Sequence, residues 1–319
     1  MLKTAVIGLG KMGLLHASLL NTMPEVRLVA LCEKSALIRR FASKAFGNIR
    51  MVAKPSDLAD AGFDIVFVAT PPSTHYPIIR EIYRTRIARN VFVEKPLALS
   101  AVQSAELRGL AQKRGVNMVG YNRRFAVTFK KAKELLDSGS IGRLFDFEGH
   151  AYSSDLLGVR SPSEGLMKVG VLWDLGCHII DIALWYFGRL EVENADVSPL
   201  SGDAFFSVAG KGIVGEFRAS WYKEGYRLPE IGLRVVGSKG ELKVNDDRVE
   251  VKTKGRVRIW HRQDLGDTVP FFLGGSEYYR EDEAFVKAAK SGDSIEPDFQ
   301  SALEVDRIIA QVEQRTKVS

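Results

Sequence analysis

Cysteine is scarce in this chain. Only Cys32 and Cys177 occur in 319 residues, neither in a C-x-x-C pair nor beside a cluster of other metal-ligand residue types. That argues against a disulfide scaffold and leaves two free thiols in a reducing compartment. Long apolar runs are absent too, none reaching the roughly 18–20 residues that a membrane-spanning helix needs. The chain enters a strand pattern at Thr4 with no basic leader, apolar h-region or small-residue cleavage site. The expected setting is therefore the cytoplasm, without membrane association. Internal repeats and low-complexity tracts are missing as well. Charge is only mildly one-sided: 45 basic against 39 acidic side chains give a net +6. This balance suits anionic small molecules, and no nucleic-acid reading motif accompanies it, so no nucleic-acid partner is expected. Lys130, Lys131 and Lys133, like Arg80, Arg84 and Arg86, read as solvated helix faces.

What the chain does have is an alternation of two periodicities. Short apolar runs at Thr4–Ile7, Val26–Cys32, Arg50–Ala53, Phe63–Ala69, Asn90–Glu94 and Asn117–Gly120 read as strands. Helical patterns separate them, among them Ala36–Phe46, His75–Thr85 and a helix capped by Ser100 that runs through Lys113 to Gly115. Strands divided by helices predict a parallel, doubly wound α/β sheet of Rossmann type. After Tyr121 the pattern changes. A helix is expected over Ala126–Leu136, a long strand over Arg143–Ser153, a loop over Asp155–Gly170 and an apolar helix over Val171–Phe187. Glu191–Trp260 holds extended segments punctuated by Gly210-Lys211-Gly212, Gly237-Ser238-Lys239-Gly240 and Asn245-Asp246-Asp247, the mark of antiparallel hairpins. Helices near Glu277–Lys290 and Phe299–Gln314 finish the chain. Two domains are expected at this length: residues 1–122, and an α+β domain over 123–319 built on a large, mostly antiparallel sheet.

The first candidate site is Gly8-Leu9-Gly10-Lys11-Met12-Gly13, which follows a strand and opens a helix. In that setting Gly8 permits the tight turn, Gly10 lets a pyrophosphate approach, and Gly13 lets helix and strand pack closely. The helix N-terminus, including Lys11 and Met12, presents N–H groups and partial positive charge to phosphates. Glu33 ends the second strand about 20 residues further on, placed to accept both hydroxyls of an adenosine ribose and to repel a 2′-phosphate. NAD is the expected cofactor; the neighbouring cation Lys34 leaves NADP open.

Three further segments stand at fixed places: Ala69-Thr70-Pro71-Pro72-Ser73-Thr74-His75, Glu94-Lys95-Pro96, and Trp173-Asp174-Leu175-Gly176-Cys177-His178. Thr70 and Glu94 end predicted strands at the carboxyl edge, where doubly wound sheets bind ligands. Thr70-Pro71-Pro72 must form a stiff loop, because proline has no N–H and restrains its predecessor. Asp174 and His178, four apart in an expected helix, share one face, and histidine, with an ordinary pKa near 6.5, suits a general base. Asp181 extends that stripe and raises an Asp-His-Asp metal site as an alternative, but no further His or Cys joins it, and no metal is expected.

With G-L-G-K-M-G at the front and Tyr121-Asn122-Arg123-Arg124-Phe125 at the junction, the order and spacing of these segments resemble the Gfo/Idh/MocA oxidoreductases, which include glucose–fructose oxidoreductase and inositol dehydrogenase. The resemblance covers essentially the whole chain. It implies an NAD(P)-dependent dehydrogenase acting on a secondary alcohol or ketone of a sugar, polyol or nucleotide-sugar. It implies that Thr70, Pro71, His75, Glu94 and Lys95 line the dinucleotide site and that the Lys95–Pro96 peptide is cis. Lys95, Asp174 and His178 become the catalytic set: Lys95 stabilises charge on the reacting oxygen, His178 takes the alcohol proton, and Asp174 holds substrate and imidazole. Asn122, Arg124 and Tyr152 are weaker candidates for substrate contact. A homo-oligomer, dimer or tetramer, is implied as well. The family's longer glycine run before the helix aspartate is here reduced to Gly170. A non-catalytic NAD(P)-binding sensor of the same fold is the alternative, disfavoured because a sensor needs no proton acceptor.

Overall fold

A computed structural model describes residues 1–59, 61–112, 114–159, 169–197 and 202–316. Most of the loop expected at Asp155–Gly170, and the end of the helix expected at Lys113, lie outside them. The chain divides into two compact units: Met1–Asn122 with Val269–Leu303, and Arg123–Thr268 with the chain from Glu304 onward.

In the first unit, six parallel strands, β1 (Leu2–Ile7), β2 (Val26–Cys32), β3 (Arg50–Val52), β4 (Phe63–Val68), β5 (Ala88–Glu94) and β6 (Asn117–Gly120), stand in the order β3-β2-β1-β4-β5-β6. That order reverses direction between β1 and β4, and a doubly wound sheet opens a crevice at such a point. The central strands are covered on both faces, which is why Ile65–Val68 and Val91–Val93 are continuous apolar runs without solvent exposure. Helix α1 (Lys11–Leu20) packs on one face, α2 (Ala36–Phe46) lies against β3, and α3 (His75–Arg84) and α4 (Ala101–Ala111) pack together with α3 against β4 and β5. Ser100 holds the N-cap position of α4 without a side-chain capping bond. Gly115 is not the C-cap: the helix ends at Ala111, and Gly115 serves a close approach, since a Cβ there would run into Arg89 and Asn90.

The expectation that everything after residue 122 forms one domain is corrected. Helix α7 (Ser276–Ser291) packs on α1 and β4, where Phe285 meets Phe67 edge-on at 5.5 Å and Phe67 stacks on Phe92 at 4.5 Å. An amphipathic helix must bury its apolar stripe on some layer, but periodicity does not say which layer receives it.

The described residues of the second unit form eight strands: β7 (Leu144–Tyr152), β8 (Glu191–Val197), β9 (Asp203–Gly210), β10 (Ile213–Ser220), β11 (Glu230–Gly237), β12 (Gly240–Asn245), β13 (Arg248–Thr253) and β14 (Arg256–His261). Their order is β14-β13-β12-β11-β7-β10-β9-β8, with only the β7–β10 pair parallel. Hairpins turn at Lys211-Gly212 and Lys254-Gly255, where positive φ at both residues matches the strand twist. Helices α5 (Val127–Asp137) and α6 (Cys177–Phe187) cover one face. The alternation follows: in β10, Gly215, Phe217 and Ala219 are buried while Val214, Glu216 and Arg218 are exposed. Helix α8 (Phe299–Thr316) begins in the first unit and belongs to the second from Glu304.

Candidate active site

The strand ends of the first unit assemble the first half of the predicted set. Gly8 leaves β1 with φ +91°, a conformation that side chains resist. A Cβ there would come within 2.6 Å of the Ala69 carbonyl oxygen and 2.7 Å of Thr70 Cγ2, so the first glycine lets the loop after β4 close over it. A Cβ on Gly13 would collide with the Gly8 carbonyl. Gly10 differs: a Cβ there would meet no protein atom within 4 Å. It is the N-cap of α1, with no acid in the first turn. Exposed Lys11 and half-buried Met12 follow. A helix start with unshielded N–H groups, approached across a residue without a side chain, fits a pyrophosphate.

Glu33, just past β2, spans the same turn. Its Oε2 accepts from the Leu9 N–H at 2.9 Å and its Oε1 from the Ser35 N–H at 2.8 Å. The carboxylate is thus fixed beside the glycine loop, with further lone pairs for ribose hydroxyls. Arg39 donates to the Glu33 and Lys34 carbonyls at 2.6 and 2.8 Å, tying down the peptide that carries it.

After β4, Thr70 accepts at its Oγ1 from Thr74 at 2.8 Å, and exposed Pro71 begins the stiff loop. His75 does not present itself to a dinucleotide, contrary to the sequence expectation. It is fully buried, with Nδ1 2.7 Å from the Pro96 carbonyl oxygen and Nε2 2.8 Å from that of Thr70. Burial lowers its pKa below the usual imidazole range. Both ring nitrogens are committed to main chain, so His75 braces the Thr70 loop against the Lys95–Pro96 turn, whose peptide is cis.

Glu94 is held from two sides by the chain itself. Its Oε1 lies 3.0 Å from His16 Nε2, and its Oε2 accepts from the Lys95 N–H at 3.1 Å. Half-buried Lys95 follows directly, and Asn122 is buried. His16 was missed in the sequence. A lone histidine in an apolar helix gives no signal by itself, and its second partner, Asp282 on α7 at 2.8 Å, is remote in the chain.

In the second unit, Asp174 and His178 lie at the start of α6, but the helix there is not regular. Leu172–Gly176 is a π turn, and the α-helix proper begins at Cys177. Such turns are rare and concentrate at functional sites. Asp174 Oδ2 accepts from the Trp221 indole N–H at 3.1 Å, and His178 is half-buried. Trp221 carried no sequence signal as a partner of Asp174.

Arg124, a candidate for substrate contact, is instead locked in the interior. Its Nε and Nη2 donate to Asp181 at 2.9 and 2.7 Å, both side chains being nearly inaccessible. This pairing also takes Asp181 away from an Asp-His-Asp metal set. A fork-to-carboxylate pair satisfies two groups that could not be buried singly. Tyr152 is half-buried, stacked on His150 at 4.8 Å and edge-on to Tyr226 at 5.3 Å.

Comparison with known proteins gives consistent results. A family model described as an oxidoreductase family with an NAD-binding Rossmann fold matches residues 2–121, and one described as the GFO/IDH/MocA C-terminal domain matches 129–243. A scyllo-inositol 2-dehydrogenase (NAD(+)) of Bacillus subtilis is 30% identical over 204 residues, covering 63% of this chain and 56% of its own. A myo-inositol 2-dehydrogenase of Thermotoga maritima is 27% identical over 315 residues, covering 92% and 89%. The chain spans 52–59% of the length of the first curated relatives it matches. In fold it is similar to a levoglucosan dehydrogenase solved with NADH and levoglucosan, at TM-score 0.88 and 23% identity over 99% of this chain and 97% of that one. The cradle after β1, the carboxylate after β2 and the two matched models lead to one assignment: the chain belongs to the Gfo/Idh/MocA family of oxidoreductases, with an NAD-binding Rossmann fold at its front.

Proposed function

We propose that the protein is an NAD-dependent dehydrogenase that interconverts a secondary alcohol and its ketone on a sugar, polyol or nucleotide-sugar. The observation that carries this reading is the glycine cradle at α1 with Glu33 fixed across it, a setting made for a dinucleotide with an unmodified ribose. The names of the relatives, inositol dehydrogenases among them, support the substrate class. NAD, when bound, supplies the hydride acceptor for the oxidation.

The remaining work falls to the chain's own side chains. With NAD bound, the α1 N-terminus and Lys11 would hold the pyrophosphate, Glu33 would hold the ribose, and the Thr70-Pro71 loop would line the dinucleotide site. The Lys95 ammonium donates to the reacting oxygen and stabilises negative charge as it develops there. His178 takes the hydroxyl proton as general base and returns it in the reducing direction. Asp174, steadied by Trp221, orients substrate and imidazole. Asn122 and Tyr152 are candidates for substrate contact.

The test is a screen of inositols, other polyols, sugars and nucleotide-sugars for reduction of NAD and of NADP. Turnover with NAD is expected to fall by roughly 10²- to 10³-fold in Lys95→Ala and in His178→Ala, with NADH binding kept. Full activity in both variants overturns the assigned roles, and tighter binding of NADPH than NADH overturns the cofactor preference.

We also propose that it works in the cytoplasm as a dimer or tetramer. No helix among the described residues is long and apolar enough to cross a membrane. The face of the second unit's sheet turned away from α5 and α6 carries Glu148, His150, Arg218 and Arg234, a broad surface that a second subunit would cover. Light scattering should give a multiple of the chain mass; a monomer at micromolar concentration contradicts the proposal.

A further inference from the structure

His16 lies in the first unit on α1, three residues past Gly13, and no part of it reaches solvent. Its Nδ1 is 2.8 and 3.0 Å from the two oxygens of Asp282, and its Nε2 is 3.0 Å from Glu94 Oε1. The other Glu94 oxygen accepts the Lys95 N–H. Around the ring stand Phe92 at 5.1 Å, Phe67 at 5.6 Å and Tyr278 at 6.4 Å. An ionised carboxylate only accepts hydrogen bonds. A ring set between two of them is satisfied in full when both nitrogens carry protons, that is, as the imidazolium. In so apolar a setting an unpaired member would be costly, which makes the chain of bonds stiff.

We infer that His16 is the positioning residue for Lys95: anchored on Asp282, its imidazolium fixes the Glu94 carboxylate, which holds the Lys95 peptide and so sets where the ammonium can reach. The same helix opens at Gly10, so one rigid element joins the pyrophosphate cradle to the lysine. Burial pulls the His16 pKa down, but Asp282 and Glu94 outweigh it and hold the ring well above the usual range. Glu281, whose two oxygens have no hydrogen-bond partner among the described residues, faces the same cluster, and burial raises its pKa well above the carboxylate norm. The inference rests on the role proposed for Lys95 only in what it implies for turnover.

Two substitutions separate the arms of the ring. His16→Gln keeps a nitrogen where Nε2 lies and so keeps Glu94; His16→Asn keeps one where Nδ1 lies, holds Asp282 and releases Glu94. The first readout needs no cofactor: the Lys95 amide proton in protein labelled with ¹⁵N-lysine, which is shifted downfield while it donates to a carboxylate. Wild type and His16→Gln should share that position and His16→Asn should lose it. In turnover with NAD, His16→Asn should lose roughly ten- to a hundredfold in kcat with little change in KM for the alcohol, and His16→Gln much less. Equal losses in the two variants, tracking their stability, overturn the inference, as does an unmoved Lys95 amide in His16→Asn. A moved amide with unchanged kcat upholds the positioning and refutes the role given to Lys95. Should either variant fail to fold, ¹⁵N-histidine spectra of the wild type decide: His16 must show two protonated ring nitrogens at neutral pH, and a neutral ring overturns the proposal.

Discussion

Arg124 and Asp181 show what a buried charge demands of its neighbours. With the pair almost inaccessible and joined by two hydrogen bonds, removing one partner strands the other in the interior. Arg124→Met should therefore destabilise by about 3–5 kcal/mol, read from urea unfolding, whereas Arg124→Met with Asp181→Leu should recover most of that loss. NADH binding should survive in both; a cost below about 1 kcal/mol for the single variant would mean that water reaches the carboxylate. Residues like these were visible in the sequence only as types. Arg124 and Glu94 stood out because they lie beside motifs, yet their partners, Asp181 and His16, sit on other elements. His75 was found at the right turn with the wrong task, because the two carbonyls that hold it belong to loops whose closure no spacing rule predicts. Gly8 and Gly13 were legible in their packing roles, since a tight turn and a close contact each exclude a Cβ for a different reason.

Those reasons can be tested on the element they build. Gly10 has φ −68° and open space around its missing Cβ, so Gly10→Ala should melt within about 1–2 °C of the wild type. It should nonetheless bind NADH at least about tenfold more weakly, because the methyl would stand where the proposed site brings the pyrophosphate. Gly13→Ala meets the backbone of Gly8 and should cost stability, about 1–3 kcal/mol as overpacking generally does, along with binding. Calorimetry and NADH fluorescence on both variants distinguish the cases, and a Gly10→Ala protein with unchanged affinity would remove the cradle from the cofactor site. At this scale the sequence was most informative: alternation and apolar runs located the strands, and Gly- and Asn-rich punctuation located the hairpins. It could not separate a π turn from an α turn at Leu172–Gly176, because both bury the same apolar residues. Nor could it show that the strand after residue 143 pairs in parallel with β10, a matter of chain path rather than local pattern.

The stability of the whole molecule should carry the mark of the acid cluster beneath Lys95. Glu281 is buried facing Glu94, His16, Asp282 and Glu277, and its pKa is raised, first by burial and then by Glu94. The folded chain therefore keeps a proton that the unfolded chain releases above the ordinary carboxylate range. A raised pKa of this kind stabilises fully below the unfolded value and loses its contribution as pH climbs towards the folded one. His16 has the same sign, beginning from about pH 6.5. Burial raises Asp282 too, so the His16–Asp282 pair holds its proton as a unit rather than as two independent groups. His75, lowered by burial, acts oppositely, but only below about pH 6.5, where the unfolded chain takes up the proton that the folded ring refuses. Glu94, whose lowered pKa comes from His16 overcoming burial, matters only in acid, as its own range is crossed. The contributions of Glu281 and His16 thus add above pH 6.5, where stability should fall with rising pH by up to roughly 1.4 kcal/mol per pH unit for each retained proton. Glu281→Gln keeps the shape and removes one of those protons. Urea unfolding between about pH 6.5 and 8.5 should show a shallower decline in that variant than in the wild type, by up to one proton's worth. Identical slopes would mean that Glu281 is ionised in the folded chain, which its unpartnered oxygens could tolerate only if water entered the cluster.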